Sequence, residues 1–431
     1  MKIRQDRKFK GLKTRSVKLK IIGGEKDYCN YAVDYYLGKN GIYSARKFSS
    51  FRSAEYIFGT LEWINYYNVI GAGLGVTKEG RVYRWRENNT TGKWFNDFTW
   101  MEMQMCHTAA DGYYDGLPAI CFTGGEKLLF VLESGTASYT TPYKLKGGCM
   151  HMGRVFAVDA DQRFLIRWSG TKVINWVQSA FGSGYLELDP ARGEIYRLIS
   201  MGDKIFVYRK YGIDVIKAYG DPRYFAVVPK GSADITEALV EGACVACGDK
   251  LYFCSQTGVY TFDGEKIEQV ILPEALKGKN YTNGTCLDGR YVNFACEHAE
   301  KPESYLLEID TKEGAFAFYS NGFPFVWKSP AAYYAWRDNT IFIEDDTPSD
   351  SFGTWSTAYI NPDDTNSVKT LKSVCVDCSG EITVCVKTPT VERRVKGNGK
   401  INIGLRGECF QISVCGSGQV RQLECEWEVR A

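Results

Sequence analysis

The chain has 431 residues, of which 53 are Lys or Arg and 51 are Asp or Glu, and it contains 44 Gly, 28 Tyr and 23 Phe. A formal net charge of +2 argues against a general nucleic-acid binder, and the lack of any stretch of transmembrane length predicts no membrane insertion. The aromatic residues favour β-structure, and a basic start without an apolar core is not a secretory signal, so we expect a cytosolic origin.

The first predicted element is a basic N-terminal arm. The first twenty residues contain one acidic residue, Asp6, and nine basic residues, which are Lys2, Arg4, Arg7, Lys8, Lys10, Lys13, Arg15, Lys18 and Lys20. Such an arm can contact DNA phosphates through counterion release, or it can be a solvated tail that orders against a partner chain, and both interpretations stay open. We expect residues 1–51 to contain this arm and a leading segment with helical character around Tyr31 to Tyr36.

The next region repeats one phrase, in which a turn ending in Gly or Asp is followed by a basic residue and a short apolar, aromatic-rich strand. GDKIFVYRKYGIDVI at Gly202 and GDKLYFCSQTGVYTFDG at Gly248 are clear examples. The basic residues that mark the phrase are Arg81, Lys127, Arg154, Lys204, Lys250 and Arg290. Most steps are roughly 40 to 50 residues, the repeat length of a β-propeller blade. We therefore predict an all-β fold with a β-propeller of about six to eight blades over residues 52–360.

Residues 361–431 are predicted to form a linker and a C-terminal β appendage. The linker is Asn361–Ser367, and beyond it polar and apolar residues alternate in KSVCVDCSGEITVCVKT, INIGLRGECFQISVCG and VRQLECEWEVRA. A sustained helical pattern is almost absent from the chain. The best candidate for one or two helical turns is ADITEALVEGACV, from Ala233 to Val245.

The residues offer no established catalytic motif. The three histidines, His107, His151 and His298, have no metal-ligand spacing, and the chain has no GxSxG elbow, phosphate loop or HExxH helix. Asp159 and Asp161 begin like a calcium loop but lack the required Gly and Glu, so a solvated loop is favoured for them. The same applies to the acidic cluster that includes Asp345 and Asp350. We predict no enzyme activity, no cofactor and no metal site.

Fifteen cysteines are spread along the chain. Two CxxC pairs, Cys244 with Cys247 and Cys375 with Cys378, together could supply four zinc thiolates, but they are far apart in sequence. Ordinary core cysteine is the favoured interpretation because several others occupy positions that Val or Ile would also fill. These are Cys254, Cys296, Cys385, Cys409, Cys415 and Cys425.

The segment from Gly153 to Gly264 resembles the propeller-forming DNA-stabilisation and tail-hub proteins of short-tailed bacteriophages and prophages. The resemblance lies in four phrases taken in order: RWSG followed by NWV, GDKIFVYRKYGIDVI, EGACVACGDKLYFCSQTGVY, and TFDG. The opening is also similar, with Asn30, Gly38, Gly41 and Arg46, as is the closing GECFQISVCGSGQVRQLECEWEV.

The resemblance implies a structural virion protein that forms a ring in the phage tail near the portal and helps to retain and conduct the genome. The implied partners are further copies of the chain, with six as the expected number, the portal or adaptor, other tail proteins, and phage DNA in the lumen. Such a protein is assembled in the bacterial cytoplasm and carries no catalytic residues. A propeller that binds glycans or proteins is the alternative, followed by a propeller glycosidase or lyase.

Overall fold

The computed structural model describes residues 14–22, 29–33, 35–38, 41–44, 48–53, 61–88, 93–100, 109–171, 175–176, 182–256, 258–270, 279–298, 304–319, 323–330, 332–337, 340–344, 353–362 and 367–430. These residues form β-strands and three short 3-10 helices, at Pro190–Arg192, Pro222–Tyr224 and Pro229–Gly231. The described part of the chain includes no helix long and apolar enough to cross a membrane. The predicted all-β fold is confirmed.

Five strands precede the repeats. They are β1 (Thr14–Ile22), β2 (Cys29–Val33), β3 (Tyr35–Gly38), β4 (Gly41–Ser44) and β5 (Phe48–Ser53). They belong to different sheets, which are described below. The expected helical character around Tyr31 to Tyr36 is wrong, because residues 31–33 lie in β2 and residues 35–36 lie in β3, and these strands pair with strands from distant parts of the chain.

The repeats form six sheets in chain order. The first sheet contains β6 (Leu61–Tyr67), β7 (Ala72–Thr77), β8 (Val82–Asn88) and β9 (Lys93–Trp100). The second contains β10 (Ala109–Tyr114), β11 (Leu117–Val131), β12 (Thr136–His151), β13 (Arg154–Asp159), β14 (Leu165–Trp168) and β15 (Gly184–Glu187). The third contains β16 (Ile195–Met201), β17 (Lys204–Arg209), β18 (Gly212–Lys217), β19 (Ala226–Val227) and β20 (Ala233–Asp234).

The other three repeat sheets follow in the same way. The fourth sheet contains β21 (Leu239–Cys247), β22 (Lys250–Ser255), β23 (Val259–Phe262) and β24 (Ile267–Val270). The fifth contains β25 (Lys279–Leu287), β26 (Tyr291–His298), β27 (Ser304–Asp310) and β28 (Ala315–Tyr319). The sixth contains β29 (Phe325–Lys328), β30 (Tyr333–Arg337) and β31 (Thr340–Glu344). The helical turns expected between Ala233 and Val245 are therefore wrong. Most of that segment belongs to β20 and β21, and β21 pairs with β22.

The recurring phrase marks a hairpin, which at Gly202 and Gly248 is the first hairpin of its sheet. Gly202 and Gly248 lie in these hairpins with φ of 61° and 64°, a conformation that glycine adopts without steric cost. The basic residue that follows opens the next strand, at Arg154 in β13, Lys204 in β17 and Lys250 in β22. The interpretation of the phrase as a turn followed by a strand is confirmed.

Apolar side chains fill the spaces between neighbouring sheets. Phe206 from the third sheet and Phe253 from the fourth belong to one such cluster, and both are nearly or fully buried. The ring is closed by β5, which pairs with β31 so that Phe48 is opposite Glu344 and Ser53 opposite Thr340. The N-terminal part of the chain thus completes the last sheet, which otherwise would expose an unpaired edge.

The C-terminal region contains the remaining seven strands, which are β32 (Gly353–Thr357), β33 (Lys369–Ser379), β34 (Ile382–Lys387), β35 (Glu392–Lys396), β36 (Gly399–Gly407), β37 (Gln411–Gly416) and β38 (Gln419–Arg430). One sheet contains β1, β38, β33 and β36, and the other has the order β2-β32-β37-β34-β35. Their inner faces share one apolar cluster, which includes Trp355 and Trp427. This pair of sheets is a β-sandwich, and the predicted alternation of β38 places Leu423, Cys425 and Trp427 in its core.

A short hairpin joins the sandwich to the propeller. On one side, β3 pairs with β28, with Tyr36 opposite Ala317, and on the other side β4 pairs with β38, with Ile42 opposite Val420. Backbone hydrogen bonds therefore run without a break from the fifth propeller sheet into the sandwich. Strand pairing crosses both predicted domain boundaries. β5 contains residues on both sides of the boundary after residue 51, and β32, which belongs to the segment predicted as propeller, pairs with a strand of the sandwich.

Candidate functional site in the central channel

Three of the nine basic residues predicted to contact DNA or a partner lie on β1, and six lie outside the described residues. The three are Arg15, Lys18 and Lys20. In the antiparallel register with β38, Lys18 is opposite Glu426 and Lys20 is opposite Glu424. Opposite charges in such positions attract each other. Glu426 on the sandwich therefore supplies a counter-charge for Lys18, and the basic residues of the arm that lie outside the described residues are Lys2, Arg4, Arg7, Lys8, Lys10 and Lys13.

The glutamates of β38 also face cations on their other side. Lys400 Nζ lies 3.1 Å from a carboxylate oxygen of Glu426, and Lys372 Nζ lies 2.9 Å from one of Glu428. The hydrogen bond from Lys400 holds the pKa of Glu426 below its usual range. On the outer face of this sheet, basic and acidic side chains therefore pair with each other.

The acidic loop that resembles a calcium site is already satisfied by the protein. Asp159 is 4% exposed, and its Oδ1 accepts hydrogen bonds from the backbone N–H groups of Asp161 and Gln162 at 3.0 and 2.9 Å. Its Oδ2 accepts one from Arg167 Nε at 2.6 Å. The expectation of a solvated aspartate is wrong at this position, because the buried Asp159 side chain stabilises the turn between β13 and β14 through these hydrogen bonds. Asp345 and Asp350 lie outside the described residues.

The two CxxC pairs lie on strands, where residues three apart point to opposite faces. Cys375 is exposed whereas Cys378 is buried. Cys244 packs between the third and fourth sheets, and Cys247 packs between the fourth and fifth. Neither pair therefore directs both thiolates at one ion. Among the described residues, no group of three or more His, Cys, Asp or Glu side chains is placed to hold a metal ion.

The prediction of core cysteines holds for part of the set. Cys254, Cys296 and Cys425 are buried, and burial raises the pKa of Cys254 and Cys425 well above the usual range. The prediction is wrong for three others, which are half-buried: Cys385, Cys409 and Cys415. Cys385 and Cys415 lie on the outward face of β34 and β37, beside Glu392 and Arg394, because the alternation on these strands directs their neighbours into the core.

Of the three histidines, His151 is the one with a described side chain. It is 3% exposed, and its Nδ1 lies 2.9 Å from Ser200 Oγ. Burial lowers its pKa, so the imidazole is neutral over more of the physiological range. The geometry suits a packing residue at the end of β12.

Two cavities lie on the axis of the propeller. One has a volume of about 400 Å³ and is lined by residues of β6, β10, β12, β16, β21 and β25. The adjoining one, of about 300 Å³, is lined by residues of β6, β16, β21, β25 and β29. Seven strands from six sheets thus surround the channel, because the second sheet contributes both β10 and β12. This arrangement agrees with the predicted range of six to eight blades.

Arg197 on β16 lines both cavities. One of its terminal nitrogens donates a hydrogen bond to the backbone carbonyl of Cys244 on β21. Among the described residues no carboxylate forms an ion pair with the Arg197 guanidinium, and burial lowers its pKa. The channel therefore contains a cation whose hydrogen-bonding capacity is only partly used.

Two carboxylates also lie along the channel. Glu241 lines the smaller cavity, but Lys146 Nζ on β12 already pairs with it at 2.6 Å. Asp111 on β10 lines the larger cavity and is exposed to it. The wall of the larger cavity therefore presents the Arg197 cation on β16 and the Asp111 carboxylate on β10.

Sequence reasoning missed Arg197, although the repeats contain a signal for it. Counting seven residues back from the basic residue in the four phrases marked by Arg154, Lys204, Lys250 and Arg290 gives Gly147, Arg197, Ala243 and Asn283. Three of these positions carry a small or neutral residue and one carries a cation. An alignment of these repeats would therefore have singled out Arg197 as the charged residue at a position that the other repeats fill with an uncharged residue.

No protein-family profile matches the chain, and no curated protein matches its sequence. Among solved structures, the β-propeller domain of Cps50 (Swd1) from Myceliophteria thermophila has a TM-score of 0.50 at 12% identity, covering 69% of this chain and 98% of that one. PorZ, a surface component of the type-IX secretion system of Porphyromonas gingivalis, has a TM-score of 0.47 at 10% identity, covering 86% of this chain and 58% of that one.

The WD40 repeats of RRP9 have a TM-score of 0.45 at 9% identity, covering 69% of this chain and 99% of that one. At these identities the similarity concerns the fold alone. The match to the Cps50 domain confirms the predicted β-propeller.

Proposed function

We propose that this protein is a non-enzymatic structural component of a bacteriophage tail, in which several copies form a ring near the portal. The observation that carries the proposal is the continuous strand pairing from β28 through β3 and β4 to β38, which joins the propeller to the sandwich. A wall subunit has to transmit load without bending between its two parts, and a backbone hydrogen-bonded connection provides this rigidity. The order of the turn-and-strand phrases along the sequence supports the assignment to tail proteins.

The size of the propeller channel supports a lumen between subunits. The channel cavities measure about 400 and 300 Å³, and the Arg197 side chain lies where they adjoin. Such a channel is too small for a DNA duplex, so a genome would pass through the opening of the ring and along the outer surfaces of the subunits. In this proposal the partners are further copies, with six expected, the portal or adaptor, and other tail proteins.

The sandwich offers a surface for such contacts. Among the described strands, β35 pairs with β34 alone, which leaves its other edge open. Its side chains are largely charged and exposed, including Arg393, Arg394 and Lys396. Charges on an open edge prevent indiscriminate strand pairing but allow recognition of a complementary acidic surface. This surface and the basic arm, which begins at the same sandwich, are the proposed docking elements.

The test is the mass and shape of the purified chain, alone and mixed with the products of neighbouring genes. Light scattering after size exclusion and negative-stain microscopy are expected to show closed rings, either directly or once a partner is added. A monomer under every condition would contradict the proposal. It would favour a propeller that binds glycans or proteins, for which the exposed tyrosines Tyr113 and Tyr224, at 66% and 74%, offer stacking surfaces.

The arm is tested separately, with a deletion that respects the strand boundaries. Removing residues 2–13 keeps β1 paired with β38, whereas removing residues 2–20 deletes most of β1 and damages the sandwich itself. We expect the shorter deletion to leave the unfolding temperature unchanged and to abolish incorporation into particles. As a matched control, Lys2, Lys8, Lys10 and Lys13 are replaced by Arg, which keeps the charge and should keep incorporation. Normal incorporation of the 2–13 deletion would refute the role of the arm.

A further inference from the structure

Arg197 differs from Arg209 and Arg167 of this propeller in how its charge is balanced. Arg209 is 1% exposed and pairs with Asp214 at 2.8 Å, and Arg167 pairs with Asp159 at 2.6 Å. Arg197 instead has a backbone carbonyl as its hydrogen-bond partner in the described structure. A carbonyl satisfies one N–H group but supplies no net negative charge.

Arg197 is half-buried, and withdrawing a charged group from water without a counter-charge is unfavourable. Of the equivalent repeat positions, Asn283 also lines a channel cavity and is uncharged, so the channel wall can be built without a cation at such a position. Packing of β16 against β21 therefore does not explain why an arginine stands at position 197. A ligand that supplies the missing negative charge would explain it.

We propose that the central channel of the propeller binds an oxyanion group, a carboxylate or a phosphate, at the Arg197 guanidinium. The planar fork of arginine matches the two oxygens of such a group and binds them with two parallel hydrogen bonds. Arg197 keeps donors for this contact because the carbonyl of Cys244 accepts from one terminal nitrogen. The ligand is a small molecule or the end of a peptide chain, and the oxyanion is the chemistry that both share.

The cavity on the axis is suited to an occupant of this kind. Its volume of about 400 Å³ lies within the usual range of small-molecule sites, and it is far larger than a single ion needs. Thr285 and Ser200 line it and can add hydrogen bonds to an oxyanion. Asp111, on β10, disfavours a second negative group, so the occupant carries one oxyanion on a neutral or cationic body.

The proposal is tested by calorimetric titration of the full-length protein with sodium phosphate and, separately, with sodium acetate, in chloride buffer of constant ionic strength. We expect saturable binding of one equivalent of at least one of these anions. Arg197→Gln should weaken it by about tenfold or more, because the charge and the fork are both lost. Arg223→Gln is the matched control, since that arginine is 82% exposed and pairs with Asp221. It should bind like the original protein.

Arg197→Lys and Arg197→Met extend the test in case the glutamine variant does not fold. The lysine variant keeps the charge without the fork and should bind more weakly than the original protein. The methionine variant should unfold at an equal or higher temperature than the original protein in chloride alone, because an uncompensated charge has been removed. Saturation by phosphate alone or by acetate alone identifies the oxyanion. Absence of saturable binding by either anion, or unchanged binding in a folded Arg197 variant, would overturn the proposal.

Discussion

Replacing Glu308 with glutamine is expected to remove a large part of the pH dependence of stability. Glu308 lies on β27 and is 2% exposed, and the Tyr319 hydroxyl donates a hydrogen bond to its carboxyl group at 3.0 Å. Burial, opposed by this hydrogen bond and assisted by Glu344 and Asp310, raises the pKa of Glu308 to about 8. The carboxyl is therefore mainly protonated in the folded protein at neutral pH, while in the unfolded chain it is ionised.

The direction of the effect follows from where the proton is held. Between the ordinary pKa of 4.5 and the folded value of about 8, the folded state binds a proton that the unfolded state has released. The stability that the protonated Glu308 contributes is therefore fully present below the lower pKa, and it is lost as the pH rises through this window. A pKa difference of this size corresponds to a loss on the order of 5 kcal/mol, at about 1.4 kcal/mol per pH unit across the window.

Glutamine has nearly the shape of protonated glutamic acid but does not ionise. Urea unfolding at pH 5, 6.5 and 8.5, followed by tryptophan fluorescence, should give similar midpoints for both proteins at the lowest pH. At pH 8.5 the variant should be the more stable protein, and the difference between the two urea midpoints should grow steadily from pH 5 to pH 8.5. Glu313→Gln is the control, because that residue is exposed on the turn after β27 and its variant should follow the original protein. A Glu308→Gln variant whose midpoint stays parallel to that of the original protein at every pH would refute the reasoning.

Three further predictions address packing and reactivity. Asp214→Ala should destabilise the protein by about 3 to 5 kcal/mol in urea unfolding, because it leaves the buried Arg209 without its counter-charge; a shift near zero would contradict this. Gly148→Ala should lower the unfolding temperature, because its Cβ would overlap the backbone of β13, whereas Gly135→Ala meets open space and should have little effect; equal shifts would contradict the steric argument. Among the described cysteines, Cys375 is exposed and should react first with maleimide under native conditions, as followed by mass spectrometry of peptides, and earlier labelling of a buried thiol would be inconsistent with the fold.

Local sequence patterns predicted the elements well where a local rule sets them. The glycine of a phrase marks a position that needs a positive φ, as at Gly202, and the basic residue after it begins a strand at Arg154, Lys204 and Lys250, whereas Lys127 lies inside β11. Alternation along β38 predicted which residues enter the sandwich core. The outward position of Cys385 and Cys415 was missed because cysteine suits both faces of a half-buried strand, so its identity does not fix the face.

The sequence by itself determined the all-β class, the repeat and the turns, because these depend on backbone conformation and on a period of two residues. Only the tertiary structure decided that β5 closes the propeller, that β1 completes the sandwich and that β3 and β4 join the two. These pairings connect residues that are hundreds of positions apart, and local periodicity carries no information about which distant edge a strand will meet. The same holds for the channel, where Arg197 becomes a candidate site because seven strands converge around it and, among the described residues, no carboxylate forms an ion pair with it.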